Sequence, residues 1–246
     1  MNSTRWLAHF QQNRLNRPEP AWDAPPLPAS SVTQTLASSL SHFQLGESGE
    51  GRFLLSEARH AFPDDPDYCE ALSLFISEEQ EHARLLERLV LRLGGKTISR
   101  HWSHFLFRLL RRALGVNFEL HVLVIAELVG TGYYRLVRRY SRDPVVVQVC
   151  DLVLLDEAWH VAFHCERFAA DQAAWLPLER TLWVTSFQVL FLAATAVAWV
   201  DHGAALRGIG SDRREFVKEV RDECIQFLAK LAPLTLRAEP ADSLPA

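Results

Sequence analysis

Thiol chemistry has little to work with in this chain. Only four of the 246 residues are cysteine, and Cys69, Cys150, Cys165 and Cys224 form no Cys-x-x-Cys pair. Structural zinc and rubredoxin-type iron need paired thiolates, so the spacing argues against both. The 11 glycines form no nucleotide-binding motif, and no iron–sulfur cysteine set is present. Any redox chemistry must therefore draw on an external electron donor or reductase. A net charge of only −4 leaves no footprint for nucleic acid. No apolar signal region follows the polar start, and cysteines scattered through helical segments suit a reducing compartment, so the expected location is the cytoplasm.

Against these absences stand 48% hydrophobic residues and a mostly helical pattern, long enough for a large core. Two motifs stand out within it, Glu79-Gln80-Glu81-His82 and Glu157-Ala158-Trp159-His160. Residues three apart share a helix face, so each motif aims a carboxylate and an imidazole at one point. Each also follows another glutamate by about thirty residues. Glu127 lies in the apolar run Val124 to Val129, where an unpaired carboxylate is costly to bury. A turn at Ser141-Arg142-Asp143-Pro144 would bring it beside Glu157. The first half repeats the plan, with Glu47 and Glu50 before a turn at Pro63-Asp64-Asp65-Pro66 and then Glu79. Matching Glu47 to Glu127 also aligns Phe53-Leu54 with Tyr133-Tyr134 and Arg59 with Arg139. Glu47 is the preferred counterpart, and Glu50, one turn on, is the substitute or a group that orients the ligands.

Four carboxylates and two imidazoles form a hard, mixed donor set that suits iron or manganese. The motif Glu57-Ala58-Arg59-His60 lacks an upstream partner and lies beside the Pro63 turn, where it reads as a chance match on a solvated face. The other two could be no more than helix-stabilising contacts, but their matched upstream glutamates speak for a site.

With Glu47, Glu79, His82, Glu127, Glu157 and His160 in place, the segment from Val32 to Ala170 resembles the ferritin-like superfamily of di-iron carboxylate proteins. The resemblance implies an all-α fold, an antiparallel four-helix bundle with a long crossover, and two iron ions, with manganese as the substitute. It also implies O2 as co-substrate and an organic substrate that is hydroxylated, desaturated or N-oxygenated. Asp156 could then orient a histidine on a neighbouring helix. The alternatives are an iron-binding or storage protein with no organic substrate, and a structural bundle whose function is its membrane or partner surface. Two histidines favour catalysis over storage, whose subunits usually have one Glu-x-x-His. Leu86 stands where a ribonucleotide reductase subunit would carry its radical tyrosine, and Val153 where an arylamine N-oxygenase would carry an extra histidine. His164, one turn past His160, is either an added ligand or a hydrogen-bonded group that orients the ligands. His121 reads as a core or bundle-end histidine, and Tyr133, Tyr134, Trp159 and Trp183 as packing, with electron transfer or pocket lining as the alternatives.

The expected organisation is a Pro-rich extended arm over residues 1–30, the bundle over 31–171, accessory helices over 172–236 and a disordered tail over 237–246. Trp6, Phe10 and Trp22 of the arm should pack on the bundle or on a second subunit. The expected helices cover 32 to 62, 67 to 93 with Asp67 and Glu70 as capping pair, 99 to 114, 117 to 140, 144 to 171 and 212 to 231. The basic segment from Arg100 through Arg108, Arg111 and Arg112 reads as a solvated crossover helix, or else as a docking site for an acidic partner. Thr181 to Val200 is long enough to span a membrane, but its polar interruptions favour a soluble helix that covers the bundle or joins a homodimer.

Overall fold

The computed structural model describes residues 1–103, 105, 109 and 115–238. Its elements are helices: α1 (Ser3–Leu15), α2 (Ser31–Glu47), α3 (Arg52–Ala61), α4 (Pro66–Arg92), α5 (Val116–Tyr140), α6 (Pro144–Gln172), α7 (Pro177–Ile209) and α8 (Arg213–Ala238). Local chemistry sets several starts. Asp65 and Asp143 act as N-caps, accepting from Tyr68 N at 3.0 Å and Val145 N at 2.8 Å, each followed by a proline at the first helical position. Such caps satisfy N–H groups that the helix leaves unpaired. The cap of α4 is therefore Asp65 and not Asp67, whose carboxylate instead accepts from Thr4 Oγ1 at 2.6 Å. Asp212 caps α8 through Glu215 N at 2.8 Å.

The expected continuous helix over 32 to 62 is broken into α2 and α3. Gly51 takes φ +61° at the restart, and a Cβ there would lie 2.4 Å from Ile76 Cδ1. Only glycine meets both demands at low cost. The N-terminal arm is likewise not extended throughout, because residues 3–15 form α1, which buries Trp6 and Phe10 in the core. The proline-containing stretch from 17 to 30 has no regular structure.

Helix α4 packs against α1, α2, α3 and α6, while α5 packs against α3, α6, α7 and α8. The described residues form an all-helical fold compatible with a four-helix bundle. Among the described residues, two helices are long and apolar enough to cross a membrane by length and composition alone. The most apolar window of α5 is 83% buried within the fold, whereas that of α7 is 17% buried. Leu182, Val189, Leu192 and Val200 of α7 are exposed, so this helix leaves an apolar face uncovered in the single chain. Residues 237 and 238 of the expected tail are helical, since α8 runs to Ala238. Residues 239–246 lie outside the described residues, as do Arg108, Arg111, Arg112 and most of the expected helix at 99 to 114.

Candidate metal centre

Both Glu-x-x-His motifs lie mid-helix on packed neighbours, Glu79 and His82 on α4 and Glu157 and His160 on α6. His160 Nδ1 lies 3.0 Å from Glu79 Oε1 and 3.5 Å from Glu157 Oε2. His82 Nδ1 lies 3.7 Å from Glu79 Oε1 and 3.6 Å from Glu157 Oε1. Both glutamates thus stand between the two imidazoles. Donor atoms of Glu79, Glu127, Glu157 and His160 all fall within 4.8 Å of one another. Glu127 comes from α5 beside Glu157, and Glu47 from the last turn of α2 beside Glu79.

The outer ring nitrogens are held. His82 Nε2 lies 3.0 Å from Asp156 Oδ2, and His160 Nε2 lies 2.9 Å from Glu78 Oε2. Each histidine is therefore gripped by the carboxylate that immediately precedes the opposite motif's glutamate. Asn13 Nδ2 donates to Glu78 at 2.7 Å and to Asp156 at 2.9 Å, and the Arg17 guanidinium pairs with both carboxylates. The inward atoms, by contrast, lack hydrogen-bond partners: His82 Nδ1, His160 Nδ1, Glu79 Oε1 and Glu157 Oε2. Buried polar atoms are seldom left unpaired. Donors converging on one point, with their outer sides held by carboxylates, are what a metal ion requires. The residues present fit such a group.

Electrostatics agree. Burial, together with Glu79 and Glu157, pushes the Glu47 carboxyl well above its usual range. Burial and the charges of Glu157 and Glu79 do the same to Glu127. At Glu79 burial is outweighed by the adjacent His160, which holds it at about 2. Burial would lower His82, but Asp156, Glu79 and Glu157 raise it above its ordinary value, and carboxylates raise His160 well above. Burial would also raise Asp156, yet His82 and Arg17 hold it well below the carboxylate range. Protons thus offset charge that cations would otherwise offset.

Glu50 and His164 depart from expectation, whereas His60 lies on an exposed face and His121 in the core, as expected. Glu50 lies beyond the end of α2, exposed and paired with Arg52 Nε at 2.7 Å, and does not approach the cluster. His164 is buried, but neither ring nitrogen has a hydrogen-bond partner, so the orienting hydrogen bond expected of it is absent. It packs edge-on to Phe75 at 5.0 Å, and burial holds it neutral, its pKa near 3. His60 is exposed with Nδ1 2.6 Å from Ser56 O, away from the cluster. His121 stacks in the core on Trp183 at 4.9 Å and Phe187 at 5.0 Å. Trp159 is exposed and rests on His9 at 4.4 Å. The hydroxyl of Tyr134 is buried without a partner, and burial with the nearby Glu47 and Glu157 pushes it well above its usual range.

Sequence reasoning missed Glu78, Asn13 and Arg17. A signal for Glu78 existed, since both motifs extend by one acid, to Glu78-Glu79-x-x-His82 and Asp156-Glu157-x-x-His160. No periodicity marked Asn13 or Arg17, which reach the site only because α1 docks on α4. A cavity of about 330 Å³ opens from Glu47, Glu79, Glu127 and Glu157 and continues along apolar residues of α7, among them Leu190, Ala194 and Val197. Comparison of the chain with protein-family models, with curated proteins and with solved structures gives no match.

Proposed function

We propose that this protein is a ferritin-like, non-haem di-iron oxidoreductase that uses O2 to oxidise an organic substrate. The observation that supports it most is the division of labour at His82 and His160. Each Nε2 faces a carboxylate held by Asn13 and Arg17, and each Nδ1 is unpartnered beside Glu79 and Glu157. In this reading Glu47, Glu79, His82, Glu127, Glu157 and His160 would hold the two ions. Asp156 and Glu78 accept the Nε2 proton, which fixes the tautomer with its lone pair on Nδ1. Iron, when bound, supplies the reduction of O2, with electrons from an external donor.

The surrounding residues suit a substrate reaction better than a transit site for iron. The cavity at the glutamates falls at the small end of the range of about 300 to 1,000 Å³ for ligand pockets, and its wall is mostly apolar. Tyr134 adds an unpartnered phenol O–H near Glu47 and Glu157.

Anaerobic titration with ferrous iron tests the reading. Binding that depends on Glu79 and His160 should saturate near two equivalents, and the loaded protein should then consume O2 in discrete turnovers that an organic substrate accelerates. Continuing uptake with mineral formation would instead identify iron storage. Protein that binds neither iron nor manganese would sink both.

A further inference from the structure

At the other end of the same cavity, His42 of α2 and Asp201-His202 of α7 converge from helices that pack together. One ligand atom from each lies within 4.8 Å of the other two. We propose that His42, Asp201 and His202 form a second, mononuclear site for a divalent first-row cation such as zinc or ferrous iron.

Three features separate this cluster from ordinary core histidines. First, His202 is oriented. Its Nδ1 lies 2.8 Å from Ser39 Oγ, which is itself 2.7 Å from the Tyr133 hydroxyl, so Nε2 is the nitrogen left to ligate. A hydrogen bond on one ring nitrogen that fixes the other is the usual support of a metal-bound imidazole. Second, His42 Nδ1 is buried and makes no hydrogen bond, which is costly for a buried polar atom unless something binds it. Third, both imidazoles are in the ligating form. Burial and the neighbouring His101 lower His42, and burial, His42 and His101 bring His202 to about 3. The His42 ring stacks on His101 at 3.9 Å.

Asp201 adds a hard anionic donor to two neutral nitrogens, a set that takes zinc or iron in preference to magnesium or calcium. Its carboxylate is largely buried and lies 3.6 Å from His101 Nδ1, which is in turn 2.7 Å from Ser103 Oγ. Three protein donors leave a coordination position open. Because His42, Asp201 and His202 line the same cavity as Glu79 and Glu157, that position faces whatever occupies the cavity, and water or an oxygen-donor group of an occupant would fill it.

Anaerobic titration with Co2+, read by visible absorbance and by bound metal, tests the site on the full chain. Asp201→Asn and His42→Gln keep side-chain volume and are expected to lose about one equivalent relative to wild type, together with its absorbance band, while the share that depends on His160 stays. The complementary variant His160→Ala should lose the dinuclear share and keep this band, so failure of one site is read separately from failure of the other. If Asp201→Asn and His42→Gln bind as much Co2+ as wild type with the same spectrum, the proposal is overturned. Circular dichroism on each variant separates lost binding from lost fold: a folded variant without the band supports the site. Should either variant prove unfolded, diethylpyrocarbonate labelling in the His160→Ala background replaces it. There Co2+ is expected to protect His42, and an unprotected His42 refutes the site.

Discussion

His82 and His160 owe their roles to the residues behind them as much as to their own position. Asp156 and Glu78 hold the outer nitrogens, so the inner ones face Glu79 and Glu157 without rotating away. Removal of a ligand and removal of its support should therefore differ in degree. Alanine at Glu79, His82, Glu157 or His160 should abolish tight binding of at least one ion. Alanine at Glu78 or Asp156 should weaken it by about 10–100-fold. Alanine at Glu50, Glu57 or His60 should change nothing, since Glu50 is exposed and His60 points to its own helix backbone. Isothermal titration of iron or manganese into the purified variants checks the order. Equal loss for Glu50→Ala and Glu47→Ala would overturn the assignment of Glu47.

Helix α1 acts as a buttress for the site. Trp6 and Phe10 anchor it in the core, Trp6 Nε1 lies 2.9 Å from Glu166 Oε2, and residues 13 and 17 reach the two carboxylates behind the histidines. Arg17 is the cation beside a nearly buried acidic pair, and breaking such an ion pair from one side costs about 3–5 kcal/mol. Arg17→Ala should accordingly lower the urea midpoint and weaken metal binding together. Arg17→Lys should recover only part of either, because one ammonium cannot span both carboxylates as a guanidinium does. Urea melts with and without bound metal would show this, and an unchanged midpoint would mean that α1 docks through its aromatics alone.

Across the whole molecule, histidines that burial keeps neutral contribute to the response to acid. Burial lowers His121 from 6.5 to about 4. The unfolded chain binds a proton at this group below about 6.5 and the folded chain does not, so its contribution is complete above 6.5 and is lost as pH falls towards 4. The full effect is on the order of 3 kcal/mol. His164 and His202, both lowered to about 3, act with the same sign. His121→Phe, which keeps the stack with Trp183 and Phe187, should therefore flatten the fall in stability between pH 6.5 and pH 4. Urea unfolding across that range is the measurement, and a slope equal to wild type would show that His121 gains a partner on protonation.

How much was legible in the sequence depends on the range of the interaction. Glutamate and histidine three apart on a helix share a face whatever surrounds them, so the two motifs and the intervals to Glu47 and Glu127 could be read directly. The caps at Asp143 and Asp212 are equally local, since each side chain accepts from an N–H two or three residues further on. The break between α2 and α3 was not, because Gly51 is required by the approach of Ile76 from another helix as well as by its own φ. That break carries Glu50 out of reach. Glu78 was half legible as the acid that repeats before each motif. Asn13 and Arg17 were illegible, since Asn13 meets Asp156 across 143 residues of chain and only the docking of α1 brings them together. The sequence by itself determined which side chains share a helix face, because that follows from backbone period. Tertiary packing alone decided which faces meet, which nitrogens are held, and that His42 and His202 share a cavity with the carboxylates.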